Sequence, residues 1–125
     1  LGGSKVVILG EVYRPGVYVV SGNRSILEAI ALAGGFTNDA VANSVILIRG
    51  GLQKPGEPQR LNLRQAMLGK APDANISIQP EDIIYVPKTF ISNLAYIVTQ
   101  IVDPIHRGTM NAQSFMAVLG KSSNN

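Results

Sequence analysis

The residues able to do acid–base, nucleophilic or metal chemistry are few and scattered. The chain of 125 residues has one histidine, His106, and no cysteine, which excludes thiol catalysis, thiolate zinc sites and iron–sulfur ligation together. Asp103 lies three residues before His106, across Pro104. A carboxylate–imidazole dyad is conceivable there, but a solvated histidine in a polar tail is the plainer reading. Gly120-Lys121-Ser122 imitates the end of a phosphate-binding loop, yet Phe115 stands where that motif needs its first glycine. Glu81 and Asp82 are adjacent in a turn at the start of a strand, so their carboxylates point in different directions, and Asp82 is better placed to accept from turn amides. No enzymatic activity, no cofactor and no metal site are expected.

Charge gives a second exclusion. The eleven Lys and Arg residues outnumber the eight Asp and Glu, for a net charge of +3, but they are spread singly from Lys5 to Lys121, and only 6% of the residues are aromatic. Nucleic-acid binding normally shows clustered cations with stacking platforms, so it is not expected.

The elements that must position any site begin with Val6-Val7-Ile8-Leu9, an unbroken apolar run that reads as a strand covered on both faces. Val17-Tyr18-Val19-Val20 is a second strand. Between them Arg14-Pro15-Gly16-Val17 predicts a type II turn with positive φ at Gly16. Ser25 and Glu28 have the spacing of a capping box, which starts a largely apolar helix over 26–33 that Gly34-Gly35 ends. Val45–Ile48 reads as a third, central strand, and 50–59 as an exposed hairpin tip. Residues 61–68 read as a short strand and a helical turn. Alternation over 75–79 and the apolar run Ile83-Ile84-Tyr85-Val86 add two more strands.

Three motifs in fixed order, G-E-V-x-R-P-G-V-Y, S-I-L-E-A-I-A-L-A-G-G-F-T and P-E-D-I-I-Y-V-P, make residues 5–88 resemble the SLBB domain, the soluble-ligand-binding β-grasp module of Wza-type bacterial polysaccharide export proteins of the outer membrane. The resemblance implies an α+β fold: a β-grasp domain with a mixed sheet around one main helix, followed by a C-terminal amphipathic helix. That family has glycine at the position of Glu81, so the turn there is expected to change type. Its name implies soluble ligands, and Tyr13, Arg14, Tyr18 and Arg24 flank the hairpin where stacking and hydrogen bonds could hold a sugar. The same four residues serve equally well as contacts between subunits, which is the preferred reading because a closed ring needs interfaces.

Beyond Lys88 the composition changes. Residues 89–102 carry no charge, and on a helical wheel Phe90, Ile91, Leu94, Ala95, Ile97, Val98, Ile101 and Val102 share one arc while Ser92, Asn93, Tyr96, Thr99 and Gln100 share the other. Residues 89–105 therefore read as an amphipathic helix that Pro104 ends. Fourteen uncharged residues span about 21 Å as a helix, short of an ordinary membrane span. By resemblance, a ring of such helices would form an outer-membrane pore, with the first set of residues facing lipid and the polar set lining the lumen. The alternative is a helix packed on its own domain. Residues 106–125 read as a flexible tail with one apolar patch, Phe115–Leu119.

The expected function is a passive, ring-forming homo-oligomeric channel that exports capsular or extracellular polysaccharide. It would span the periplasm and outer membrane of a Gram-negative bacterium and work with an inner-membrane synthesis or export partner. The alternative is a soluble carbohydrate-binding β-grasp module. Leu1 is not methionine and no signal-peptide pattern is present, so the chain is expected to be a fragment or a processed product.

Overall fold

The computed structural model describes residues 4–51 and 54–102. Five strands, β1 (Ser4–Gly10), β2 (Gly16–Val20), β3 (Val45–Ile48), β4 (Gln59–Leu61) and β5 (Ile83–Val86), form one mixed sheet in the order β2-β1-β5-β3-β4. β1 and β5 run parallel, and the remaining neighbours are antiparallel. Among the described residues three short α-helices accompany the sheet: α1 (Ile26–Leu32), α2 (Leu63–Met67) and α3 (Leu94–Ile97), the last continuing as a π-helical turn over Val98–Val102. This is the α+β arrangement of a β-grasp domain.

Strand periodicity divides the core into two layers. Val6, Ile8, Val45, Leu47, Ile84 and Val86 point to one face and pack with Ile26, Ala29, Ile30 and Ala33 of α1 and its C-cap, and with Leu63 of α2. Their alternates Leu9, Ile46, Ile48, Ile83 and Tyr85 point to the other face, where they meet Ile97, Ile101 and Val102. Every residue of β3 and β5 is buried, as strands with both faces covered must be. The terminal segment is the second cover.

The described helix after Lys88 is shorter than the span 89–105. It starts at Leu94, where the Asn93 side chain accepts from the Tyr96 amide at 3.3 Å. Six of the side chains expected to face lipid meet the sheet instead: Ile97, Ile101 and Val102 are buried on it, with Ile91, Leu94 and Val98 half-buried beside them, whereas Phe90 and Ala95 are exposed. The polar set, Ser92, Asn93, Tyr96, Thr99 and Gln100, is exposed. Burial of apolar side chains on an available apolar sheet face requires no membrane, and the sheet offers such a face. Among the described residues no helix is long and apolar enough to cross a membrane. The core therefore extends past β5 to Val102.

Four local expectations also change. Gly16 has φ of 159°, which is extended backbone, and it pairs with Ile8 as the first residue of β2; there is no type II turn. The reason is that Tyr13 and Arg14 donate their amides to Gly35 and Ala33, which draws the connection onto the end of α1 rather than into a tight hairpin. Residues 75–79 make only an isolated bridge, Ser25 to Ser77, because Asn75 and Ile76 are engaged at the start of α1, accepting from the Leu27 and Ile26 amides. The central strand is β5, not β3, since the parallel pairing with β1 inserts it between them. Glu81 keeps a left-handed φ of 72°, so the turn before β5 holds a glycine conformation without glycine. Its amide donates to the Lys5 carbonyl at 2.7 Å, and this bond with the neighbouring Asp82 contacts holds the residue there. The capping box is present: Ser25 Oγ accepts from the Glu28 amide at 3.2 Å, and the Glu28 carboxylate accepts from the Ser25 amide at 3.0 Å.

Candidate functional site

Of the four binding candidates, the fold brings three together. After β1 the chain leaves the sheet at Gly10, Val12 bridges to Phe36, and Tyr13 and Arg14 lie against the Gly34-Gly35 turn that ends α1. That contact is close: a Cβ on Gly34 would stand 2.9 Å from the Tyr13 Cβ and 3.2 Å from the Arg14 guanidinium, and Gly34 has φ of 92°. Glycine is required on both counts. The Tyr18 hydroxyl, half-buried on the α1 side of β2, donates to the Arg14 carbonyl and fixes the Arg14 backbone. Tyr13, 60% exposed, and the exposed Arg14 side chain therefore form a supported corner. An aromatic face beside a guanidinium can stack on the C–H face of a sugar ring while donating to its hydroxyls. The pair is equally suited to a protein contact.

Arg24 is not part of that corner. It precedes α1, whose seven residues separate the two ends by roughly 10 Å. Its guanidinium pairs with Glu28 at 3.4 Å and donates to the Ser21 carbonyl at 3.2 Å. Glu28 thus serves both the cap and the ion pair, and the amide of Ser25, with Arg24 in support, holds its carboxyl below the usual value. Sequence reading assigned Glu28 only to the cap, although the i, i+4 spacing from Arg24 was legible. Arg24, Glu28 and Leu32 line one wall of a groove of about 440 Å³ whose other wall is the β2 residues Val19 and Val20.

The acidic pair resolves as expected for Asp82 and adds a partner. Asp82 accepts from the Gln79 amide at 2.8 Å through Oδ2, and its other oxygen faces Arg49 Nε at 3.4 Å. Neither of those facing atoms makes a hydrogen bond. Burial pushes the Asp82 carboxyl up, against the lowering effect of the Gln79 amide and Arg49. Glu81 is exposed, so the two carboxylates do not converge. Among the described residues no cluster of three or more His, Cys, Asp or Glu could hold a metal ion. Asp103, His106 and Gly120-Lys121-Ser122 lie outside the described residues.

Sequence reading also missed Arg60. Its guanidinium sits 4.3 Å from the centre of the exposed Phe90 ring, donates to the Ile91 carbonyl, and reaches Ser44 Oγ at 3.2 Å. It fastens the segment entering α3 to β4. A stacking partner for Phe90 left no local signal, because the two lie thirty residues apart in sequence and meet only across the sheet edge.

The family model for the SLBB domain matches residues 4–86, from the start of β1 to the end of β5. This chain belongs to the SLBB domain family. No curated protein matches it. The match covers both edges of the Tyr13–Arg14 corner, so the corner is built within the SLBB domain, whereas α3 lies beyond the matched residues. An SLBB domain is a module of the soluble-ligand-binding kind.

Proposed function

We propose that this SLBB domain is a non-catalytic carbohydrate-binding module serving the export of capsular or extracellular polysaccharide, in the periplasm of a Gram-negative bacterium. The observation that carries this reading is the burial of Ile97, Ile101 and Val102 on the sheet. With its apolar stripe covered, the terminal segment completes a water-soluble fold. Ligand contact then falls to exposed side chains, of which Tyr13 and Arg14 form the best supported pair. No transfer or hydrolysis step is invoked, since the corner has neither a general base nor a nucleophile with one.

The test is titration of the full chain, in water without detergent, with neutral and uronate-containing oligosaccharides while backbone amide resonances are recorded. Shifts should centre on residues 12–18 and 33–36, and Tyr13→Ala should weaken binding at least about tenfold, near 1.4 kcal/mol. Saturable binding that leaves those resonances unmoved, or no binding at millimolar sugar, refutes the reading.

A second reading, the ring-forming outer-membrane conduit, is favoured by the composition of the same corner, since Tyr and Arg are the residues that anchor subunit interfaces. In that reading Tyr13 and Arg14 meet a neighbouring copy, and the terminal segment leaves its sheet during insertion. Sedimentation with and without detergent separates the two: a monomer under both conditions rejects the conduit.

A further inference from the structure

The Arg14 side chain is exposed, yet it has a defined seat. Measured from the point where a Cβ on Gly34 would stand, its Nη1 lies 3.2 Å away, its Cζ 3.3 Å and the Tyr13 Cβ 2.9 Å. The guanidinium therefore lies against the turn that ends α1, beside the root of the Tyr13 ring. A helix C-terminus carries partial negative charge, which steadies a cation there. The carbonyls of that turn are already served: Ile30 accepts from the Ala33 and Gly35 amides, Ala31 from Gly34, and Ala33 from the Arg14 amide itself. They leave the donors of the guanidinium unused. Among the described residues it has no hydrogen-bond or ion-pair partner, whereas Arg24, Arg49 and Arg60 each have one. Glu11, the nearest acid along the chain, is engaged elsewhere, accepting from the Thr37 hydroxyl at 2.8 Å, and Asp39 pairs with Lys88 at 3.9 Å.

We infer that this corner selects acidic sugars, the Arg14 guanidinium receiving the carboxylate of a uronic acid residue that stacks on Tyr13. The inference rests on the carbohydrate-binding reading and names the class of sugar within it. A guanidinium presents its donors in one plane as a fork, and a carboxylate can take a parallel pair of them. Sugar hydroxyls also accept from it, but charge-assisted hydrogen bonds are about twice as strong as neutral ones. Placement adds to charge. The carboxylate of a uronate is attached directly to the sugar ring, so a pyranose lying on the Tyr13 ring projects it from its own rim, toward a group seated beside that ring. A lysine in the same seat would supply the charge without the fork. At the other end of α1, Arg24 already pairs with Glu28 at 3.4 Å, so the attraction for an anion falls at the Tyr13–Arg14 end.

The test is titration of the full chain at neutral pH with tetragalacturonic acid and with its fully methyl-esterified form, which keeps the rings and removes the charge. Backbone amide resonances of residues 12–18 and 33–36 report the binding. The acid should bind at least about fivefold more tightly than the ester, as a charge-assisted contact at an exposed site allows. Arg14→Gln should bring the affinity for the acid down to that for the ester and leave the ester little changed. Arg64→Gln, which removes an exposed cation from α2, should keep the wild-type ratio. Equal wild-type affinities for acid and ester, with those resonances shifting, overturn the acidic selectivity while carbohydrate binding at the corner stands. Binding of neither overturns both. A preference that survives in Arg14→Gln, or that Arg64→Gln abolishes equally, overturns the assignment to Arg14 and traces it to the net charge of +3 on the chain. The comparison of acid with ester on the wild-type chain uses no variant, so it decides the selectivity whether or not Arg14→Gln folds.

Discussion

Ile101→Ala tests the placement of the terminal segment most directly. Ile101 is fully buried, between the π-helical turn and the sheet residues Leu9, Ile46, Ile48, Ile83 and Tyr85. The substitution removes the three outer carbons of the side chain, worth about 0.8 kcal/mol each as lost burial, and leaves a void that raises the total to roughly 2–5 kcal/mol. Against a stability of about 5–15 kcal/mol for a domain of ordinary size, this moves the urea midpoint by a readily measured amount. The assay is urea unfolding followed by far-ultraviolet circular dichroism, in buffer without detergent. Thr99→Ala is the control, because Thr99 is exposed and only its hydroxyl is engaged, donating to the Tyr96 carbonyl at 2.8 Å; it should cost about 0.5 kcal/mol or less. If Ile101→Ala unfolds at the wild-type midpoint with the wild-type slope, the segment is not part of the folded core in water. The sheet face it covers would then need another partner, and the membrane-inserted arrangement would gain.

Glu81→Gly should stabilise the domain by about 1 kcal/mol in the same assay, because the left-handed φ of 72° costs an L-residue roughly 1–2 kcal/mol and glycine returns part of that as chain entropy; a destabilised variant would mean the Glu81 side chain makes a contact worth more than the strain. Gly10→Ala should prevent normal folding because a Cβ there would stand 1.9 Å from the Val86 carbonyl oxygen; circular dichroism of the purified variant checks it. For Asp82 the folded carboxyl is raised above its ordinary 3.8 by burial, so the folded state holds the proton more tightly and stability falls as pH rises from 3.8 through the raised value. Unfolding free energies of wild type and Asp82→Asn across acid pH should therefore diverge in that direction, and a wild-type advantage that grows with pH would show that the Arg49 pairing outweighs burial.

Much of this protein was legible without coordinates wherever a rule of local chemistry applied. The capping box follows from two residues three apart, whose side chains can reach each other's amides only if a helix starts there. The strands β1, β3 and β5 follow from unbroken apolar runs, and those runs already required a cover on each face of the sheet. Membership of the SLBB domain family was visible in three ordered motifs. The sequence could not say what forms the second cover. An apolar stripe such as Ile97, Ile101 and Val102 has the same pattern whether it meets lipid or the protein's own sheet, because burial is non-directional and depends only on which apolar surface is within reach. The path of 11–16 was hidden for a related reason. Pro15-Gly16 suits a tight turn in isolation, but the hydrogen bonds that overrule it come from Ala33 and Gly35, residues that approach only after α1 has packed. The Tyr13–Arg14 corner and the separation of Arg24 from it were decided in the same way: spacing along the chain sets which residues are candidates, and only the packing of α1 against the sheet sets which of them meet.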